Sequence, residues 1–91
     1  MYLNTRTQIV TVLYFAKSSE LAGTRQELLT LPEQLTSLEL WHAIVQRHPR
    51  LESIRGQTVL AVGQQYVELG QQVMCLRHGE EVAVVPPLSG G

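Results

Sequence analysis

The chain has 91 residues, of which 44% are hydrophobic and only 16% are charged, and its formal net charge is −1. This length supports one small hydrophobic core, and the hydrophobic share excludes an intrinsically disordered chain. The near-zero charge excludes the broad basic surface that binds nucleic acid non-specifically, and it gives no polybasic attraction to an anionic membrane.

The single cysteine, Cys75, excludes an intramolecular disulfide and a multi-cysteine metal cluster. Small secreted domains usually carry several disulfides, so one cysteine favours a reducing compartment. Residues 1–8 are polar and lack the apolar stretch of a signal peptide, and no apolar run approaches the roughly 20 residues that span a bilayer. We therefore expect a soluble protein of the cytosol with a flexible N-terminus over residues 1–8.

In chain order, the first predicted strand covers residues 9–15, which are apolar at both odd and even positions, as in a strand buried on both faces. Residues 17–23 predict one or two helical turns that end at Gly23. Residues 26–31 predict a second strand, and Pro32 ends it because proline cannot donate to a strand ladder.

The strongest local signal is a helix over residues 37–48. Thr36 and Glu39 have the spacing of a capping box, and Pro49 forces the helix to end near His48. The apolar face of this helix is wide enough to lie on a sheet. Its members are Leu38, Leu40, Trp41, Ile44, Val45 and His48.

The second half of the chain predicts mostly strands. Residues 50–57 form a connection in which Leu51 and Ile54 are the expected anchors. Strands are predicted at residues 58–62, 66–67 and 81–85, the first two as a hairpin, whereas the apolar segment 73–76 leaves its type open.

One main helix and four or five strands predict an α+β domain with the helix on one face of a mixed sheet. This is the element order of a β-grasp domain. We expect that domain to cover residues 9–87 and a C-terminal Gly-Gly tail to cover residues 88–91.

Residues with catalytic chemistry are sparse. His42, His48 and His78 have no histidine or cysteine partner at ligand spacing, so no metal site is predicted. His48 is expected in the core or at the helix end, and His78 in a solvated turn. Cys75 lies in an apolar segment, which predicts a buried and inert thiol.

The remaining candidate is the tail. Gly90 and Gly91 follow the strand stop Pro86-Pro87, which holds the preceding chain extended. A flexible end is one interpretation. The other is a segment that threads a channel too narrow for any residue with a Cβ atom. The Gly91 carboxylate is ionised at neutral pH and is a poor electrophile, so its chemistry requires activation by an external enzyme, for example by adenylation.

The segment 79–91, with its Pro86-Pro87-Leu88-Ser89-Gly90-Gly91 end, resembles the C-terminal signature of the MoaD family, the sulfur-carrying small subunits of molybdopterin synthase. The stretches 12–17 and 20–23 are similar to that family's first strand and short helix. Leu40-Trp41, residues 47–49 and residues 65–67 resemble its eukaryotic branch. Gly63 lies where the family often has asparagine, which suits a turn with positive φ.

The resemblance implies a ubiquitin-like carrier that binds no cofactor and is not an enzyme on its own. Gly91 would receive AMP from ATP on a ubiquitin-activating-like adenylyltransferase and sulfurtransferase, and would become a thiocarboxylate. Gly90, Ser89, Leu88 and Pro87 would thread into the large, MoaE-like subunit of a heterotetramer. There the sulfur would be donated to cyclic pyranopterin monophosphate in molybdenum cofactor biosynthesis.

The resemblance also implies that Phe15 and Val85 are apolar docking residues, although placement in the core remains an alternative for both. Other functions also stay open. They are a sulfur carrier for thiamine or tRNA thiolation, a ubiquitin-like protein modifier, and a structural β-grasp domain with an incidental Gly-Gly end. We expect one apolar sheet face that stays exposed until a partner covers it.

Overall fold

The computed structural model describes residues 6–86. Its elements in chain order are β1 (Thr7–Tyr14), α1 (Lys17–Ala22), β2 (Gln26–Pro32), β3 (Gln34–Thr36), α2 (Ser37–Arg47), a 3-10 helix (Pro49–Gln57), β4 (Val59–Val62), β5 (Gln65–Val67), β6 (Val73–Cys75) and β7 (Glu81–Val85). Five strands form a mixed sheet in the order β2-β1-β7-β4-β5, in which β1 and β7 are parallel and the other pairs are antiparallel. The predicted mixed sheet is confirmed, and the first and last strands both lie inside it rather than at an edge.

The core lies between this sheet and α2. Alternate residues of the strands point toward the helix, because successive side chains of a strand face opposite sides. On β1 these are Val10, Val12 and Tyr14, all of which are buried. The helix contributes Leu40, Trp41 and Ile44 to the same core.

The predicted helix signals are confirmed in detail. The Thr36 side chain accepts a hydrogen bond from the Glu39 backbone N–H at 3.0 Å, and the Glu39 side chain accepts from the Thr36 N–H at 2.8 Å. This reciprocal box satisfies two backbone donors that have no partner inside the helix. Gly23 ends α1 in the left-handed conformation at φ 75°, as its position predicts.

The predicted start of the first strand is wrong. The first strand begins at Thr7, where the register pairs Thr7 with Pro32, so Thr7 and Gln8 belong to the sheet rather than to a flexible N-terminus. The connection after α2 is a 3-10 helix, although its expected anchors, Leu51 and Ile54, are buried as predicted. Residues 1–5 of the expected flexible segment lie outside the described residues.

A second, two-stranded sheet was not predicted. It pairs β3 with β6 antiparallel, and its strands have three residues each. The segment 73–76, whose type the sequence left open, therefore supplies a strand. Among residues 6–86, no helix is long and apolar enough to cross a membrane.

Candidate functional site

The proposed chemical residue Gly91 and the proposed threading segment, Pro87 to Gly90, lie outside the described residues. The structure describes the strand that leads to them. β7 lies in the centre of the five-stranded sheet between β1 and β4, and its Val82 and Val84 are fully buried. The tail therefore follows from a strand that is hydrogen-bonded on both sides, which fixes the place in the fold from which it departs.

The junction between β1 and α1 is fastened to the end of β7. The Phe15 N–H donates to the Val84 carbonyl oxygen at 3.3 Å. The fully buried Ser18 hydroxyl lies 2.7 Å from the Phe15 carbonyl oxygen and 3.1 Å from that of Val84, and it accepts from the Phe15 N–H at 2.9 Å. This contact links the residue predicted to dock, Phe15, to the strand that precedes the tail.

The face of the sheet turned away from α2 carries an apolar area, and the exposed Glu81 lies beside that area at the start of β7. We call this apolar area the outer face and define it by Leu13, Phe15, Val59, Ala61, Tyr66, Ala83 and Val85, which alternate with the buried core residues of their strands. Every member is uncharged. The register places Leu13 beside Ala83, Ala83 beside Ala61, and Ala61 beside Tyr66, so one row of the outer face crosses four strands.

The shape of the outer face follows from this row. Two alanines occupy its centre, and larger side chains flank them. Tyr66 is 75% exposed at one side, and Phe15 is 47% exposed beside the end of β7. Small residues between large exposed ones make a shallow apolar surface that an apolar protein surface can cover.

Phe15 and Val85 both lie on the outer face. Phe15 is largely exposed, so the alternative that placed it in the core is wrong. Val85 is partly buried and pairs with Val59 of the neighbouring strand. The structure therefore brings the two predicted docking residues together at the C-terminal end of β7, the strand that precedes the tail.

An open cavity of about 730 Å³ adjoins the outer face at β4 and β5. Val59 and Tyr66 contribute to both surfaces, and Arg55 and Glu68 supply charged groups on the cavity wall. This cavity extends the apolar surface toward a polar rim, the arrangement that protein interfaces commonly have.

On the opposite side of the sheet, a polar cluster joins β1, β2 and the end of α2. The Glu27 carboxylate accepts from the Tyr14 hydroxyl at 2.5 Å and from Arg47 Nη2 at 3.1 Å, and its Oε2 lies 2.6 Å from His48 Nε2. His48 also packs edge-on against the Tyr14 ring. The prediction of His48 as a histidine at the helix end is thereby confirmed.

The electrostatics of this cluster favour a charged Glu27. Burial by itself raises the pKa of the Glu27 carboxyl, but hydrogen bonds from Tyr14, His48 and Arg47 outweigh burial and leave that pKa below its usual value. Burial first, and then the hydrogen bond and the negative charge of Glu27, raise the pKa of the Tyr14 hydroxyl far above its ordinary value. The cluster fastens α2 to the sheet and lies on the face opposite the docking residues, so we assign it a structural role.

The prediction for Cys75 is wrong. Its thiol is exposed, because alternation along β6 turns Met74 and Leu76 toward the interior and leaves Val73 and Cys75 outside. His78 is exposed, as predicted. Within the described part of the chain, no group of three histidine, cysteine or acidic side chains is placed to hold a metal ion.

Sequence reasoning missed most of the outer face. It anticipated an apolar face but named only Phe15 and Val85, whereas Val59, Ala61 and Tyr66 also belong to it. The available signal was the period-two alternation within each strand, but combining strands into one face requires the register between them.

Comparisons with known proteins agree with this arrangement. Residues 12–91 match the model of the ThiS family. The chain is 51% identical to the human molybdopterin synthase sulfur carrier subunit over 82 residues, which is 90% of this chain and 93% of the human one. It is 42% identical to the subunit of the same name from Chlamydomonas reinhardtii, again over 82 residues, with 90% and 98% of the two chains covered.

Solved structures match the fold. A putative molybdopterin converting factor subunit 1 from Pyrococcus furiosus has a TM-score of 0.74 at 29% identity, with 89% of this chain and 99% of that chain covered. SAMP1 from Haloferax volcanii has a TM-score of 0.75 at 26% identity, with 91% and 99% covered. A complex of subunits 1 and 2 of the molybdopterin-converting factor from Helicobacter pylori matches with a TM-score of 0.63 at 19% identity, covering 92% of this chain and 100% of that one. The chain has the β-grasp fold, and it belongs to the ThiS family and, within that family, to the molybdopterin synthase sulfur carrier subunits.

Proposed function

We propose that this chain is the sulfur carrier subunit of molybdopterin synthase and that its Gly91 carries the sulfur as a thiocarboxylate. The observation that carries the proposal is the extent of the family match, which runs to residue 91 and so includes Gly90 and Gly91. The position of β7 supports it, because this central strand, which precedes residues 87–91, ends beside an apolar face that a partner can cover.

The chemistry at Gly91 proceeds in three steps on an activating enzyme of the ubiquitin-activating kind. A carboxylate oxygen attacks the α-phosphorus of ATP, pyrophosphate leaves, and an acyl adenylate forms. A sulfur nucleophile of the sulfurtransferase then attacks the acyl carbon, and AMP leaves. This nucleophile is the outer sulfur of a persulfide, so the product is an acyl disulfide. A thiol of the sulfurtransferase then attacks the enzyme-side sulfur of that S–S bond, the enzyme gains a disulfide, and Gly91 leaves as a thiocarboxylate whose sulfur is donated to cyclic pyranopterin monophosphate.

Partner enzymes supply the acid–base groups in this proposal. The outer face consists of uncharged side chains, and the polar cluster around Glu27 is fully engaged in hydrogen bonds on the opposite side of the sheet. A carrier of this kind needs a folded body, a docking face and a threadable end. We propose that it works in the cytosol without a bound cofactor.

The proposed partner of the outer face is the large subunit of molybdopterin synthase, in an assembly of two small and two large subunits. Phe15 and Val85 dock, while Pro87, Leu88, Ser89 and Gly90 occupy the channel to the partner's active site. The expected apolar sheet face is present, and the isolated chain should therefore self-associate more readily than the complex does.

The test is reconstitution with a cognate activating enzyme, ATP, a sulfur donor and the large subunit. Intact mass spectrometry should show the gain expected when one oxygen of Gly91 is replaced by sulfur, and the loaded chain should support molybdopterin formation. Deletion of Gly91 should abolish both signals, whereas Ser89→Ala, which keeps the terminal carboxylate, should retain the mass gain. Molybdopterin formation by the chain that lacks Gly91 would overturn the proposal.

The same preparation separates the alternatives. Conjugates that survive reduction and denaturation would indicate a protein modifier, the function that the full name of SAMP1, small archaeal modifier protein 1, suggests for that protein. Copurification with a thiazole-forming or tRNA-thiolating enzyme in place of a large subunit would indicate a different sulfur carrier.

A further inference from the structure

The β2 strand is an edge of the five-stranded sheet. It has seven residues, whereas β5 at the opposite edge has only three. Proteins commonly protect long edges with charged side chains or proline, because an unpaired edge can add another strand. On β2 such protection comes from Pro32, at its end, and from the inward-pointing charge of Glu27, whereas the residues Gln26, Leu28 and Thr30 are all uncharged and exposed.

The register shows which backbone groups of β2 point outward. The Tyr14 N–H donates to the Arg25 carbonyl oxygen at 2.9 Å, and the Glu33 N–H donates to the Arg6 carbonyl oxygen at 2.8 Å. In an antiparallel pair the residues that bond to the neighbour alternate along the strand, so the odd-numbered residues 25–33 bond to β1. The N–H and C=O groups of Leu28 and Thr30 therefore point away from the sheet, and they form no backbone bond to any other residue in the described range.

A groove runs along this edge between β2 and α2. It consists of two adjoining cavities of about 330 and 450 Å³, which share Leu31, Ala43 and Gln46. Leu28 and Thr30 contribute to the wall of the larger cavity. The groove therefore lies beside the free backbone groups, where alternate side chains of an added strand would enter it.

Charge differs between the two ends of the groove. At the start of β2, Arg47 lies on the groove wall with 58% of its side chain exposed. The exposed Arg25 precedes the strand and forms no ion pair among the described residues. The negative charge of Glu27 offsets the positive charge of only one of these two arginines. The Glu27 side chain is 13% exposed and is engaged in the polar cluster. At the other end the groove is lined by Glu39.

We propose that the β2 edge is a second binding site, separate from the outer face, which takes an extended peptide segment of another protein by strand addition. The backbone groups of Leu28 and Thr30 specify an extended chain. The groove accepts every second side chain of that chain, and Leu31 and Ala43, which both cavities share, form its apolar part. The excess of positive charge at the start of β2 specifies an acidic residue at that end. The site does not depend on the chemistry at Gly91.

The test uses the full ¹⁵N-labelled chain and two probe peptides, Ac-Glu-Val-Thr-Val-Thr-Val-NH2 and Ac-Val-Thr-Val-Thr-Val-Glu-NH2, which cover both strand directions. With at least one of them, hydrogen exchange of the Leu28 and Thr30 amides should slow by about tenfold or more, because these donors become hydrogen-bonded. The Leu29 and Leu31 amides, which already bond to β1, should not change. Replacing the peptide's glutamate with lysine should weaken binding by about threefold or more.

Thr30→Pro removes an outward N–H without removing a bond to β1, and it should abolish the protection. Thr30→Val keeps that N–H and serves as the matched control, which should bind as the original chain does. If Thr30→Pro does not fold, Ala43→Glu places a larger, negative side chain in the groove and should also abolish binding. Absence of protection with both peptides, or protection that survives both Thr30→Pro and Ala43→Glu, would overturn the proposal. Concentration-dependent protection without peptide would assign the edge to a second copy of the chain and would also overturn it.

Discussion

Replacement of Phe15 with alanine is expected to weaken binding to the large subunit by roughly tenfold to thirtyfold. Phe15 is 47% exposed on the outer face, beside the strand that leads to the tail. A phenylalanine offers about 200 Å² of surface, so a partner that covers this side chain removes about 90 Å² from water. At about 25 cal/mol per Å² this burial contributes about 2 kcal/mol, of which the alanine Cβ atom retains a small part.

The assay is isothermal titration of the purified large subunit with the wild-type chain and with each variant. Val73→Ala is the matched control, because Val73 is 67% exposed but lies on the separate two-stranded sheet. This control should change the dissociation constant by less than about twofold. Thermal unfolding of each variant establishes that it is folded at the temperature of the titration. If folded Phe15→Ala binds as tightly as the Val73→Ala control, the outer face around Phe15 is not the docking surface.

Three further predictions concern the fold itself. Glu27→Gln should reduce the free energy of unfolding by about 2 kcal/mol at neutral pH, because hydrogen bonds to a charged carboxylate are lost. Because the pKa of Glu27 is lowered in the folded state, the stabilisation from its charge is present above the ordinary pKa of 4.5 and is lost as the pH falls through the folded-state pKa. The free energies of unfolding of wild type and variant, measured by denaturant titration, should therefore converge in acid, and a difference that stays constant with pH would refute this. Gly63→Ala should reduce the free energy of unfolding by about 1–2 kcal/mol, because Gly63 has φ +56° and a Cβ atom there would lie 2.6 Å from the Glu80 carboxylate. Gly63→Asn should cost less, because asparagine adopts this left-handed conformation more readily than alanine does. Equal melting curves for the three chains would contradict this. Cys75 should react with a disulfide reagent in the native state at a rate close to that of the unfolded chain, and strong protection of the thiol would contradict its exposed position.

Features set by neighbouring residues were predictable. The capping box at Thr36 and Glu39 depends on contacts three residues apart, and the left-handed conformation of Gly23 depends on the absence of a Cβ atom. The resemblance to the family likewise indicated the positive φ of Gly63. Each of these signals is complete within a few residues, so tertiary structure had little to add to it.

The β3–β6 sheet and the exposure of Cys75 were not predictable in this way. The strands have three residues each, and Leu35 pairs with Met74 far along the chain. A segment of three residues shows too little alternation of apolar and polar side chains to distinguish a strand with one exposed face from a fully buried segment. Only the pairing of β6 with β3 decides that Cys75 faces outward.

By itself, the sequence determined one small α+β domain of low charge, the limits of its main helix and the presence of a Gly-Gly end after a strand. These follow from composition, local capping and strand periodicity. Tertiary structure decided which residues share a surface. The register between β1, β7, β4 and β5 joins Leu13, Ala83, Ala61 and Tyr66 into one row, and contacts between distant residues collect the cluster around Glu27. Because a sheet face combines alternate residues of several strands, its composition depends on long-range pairing that no single stretch of sequence contains.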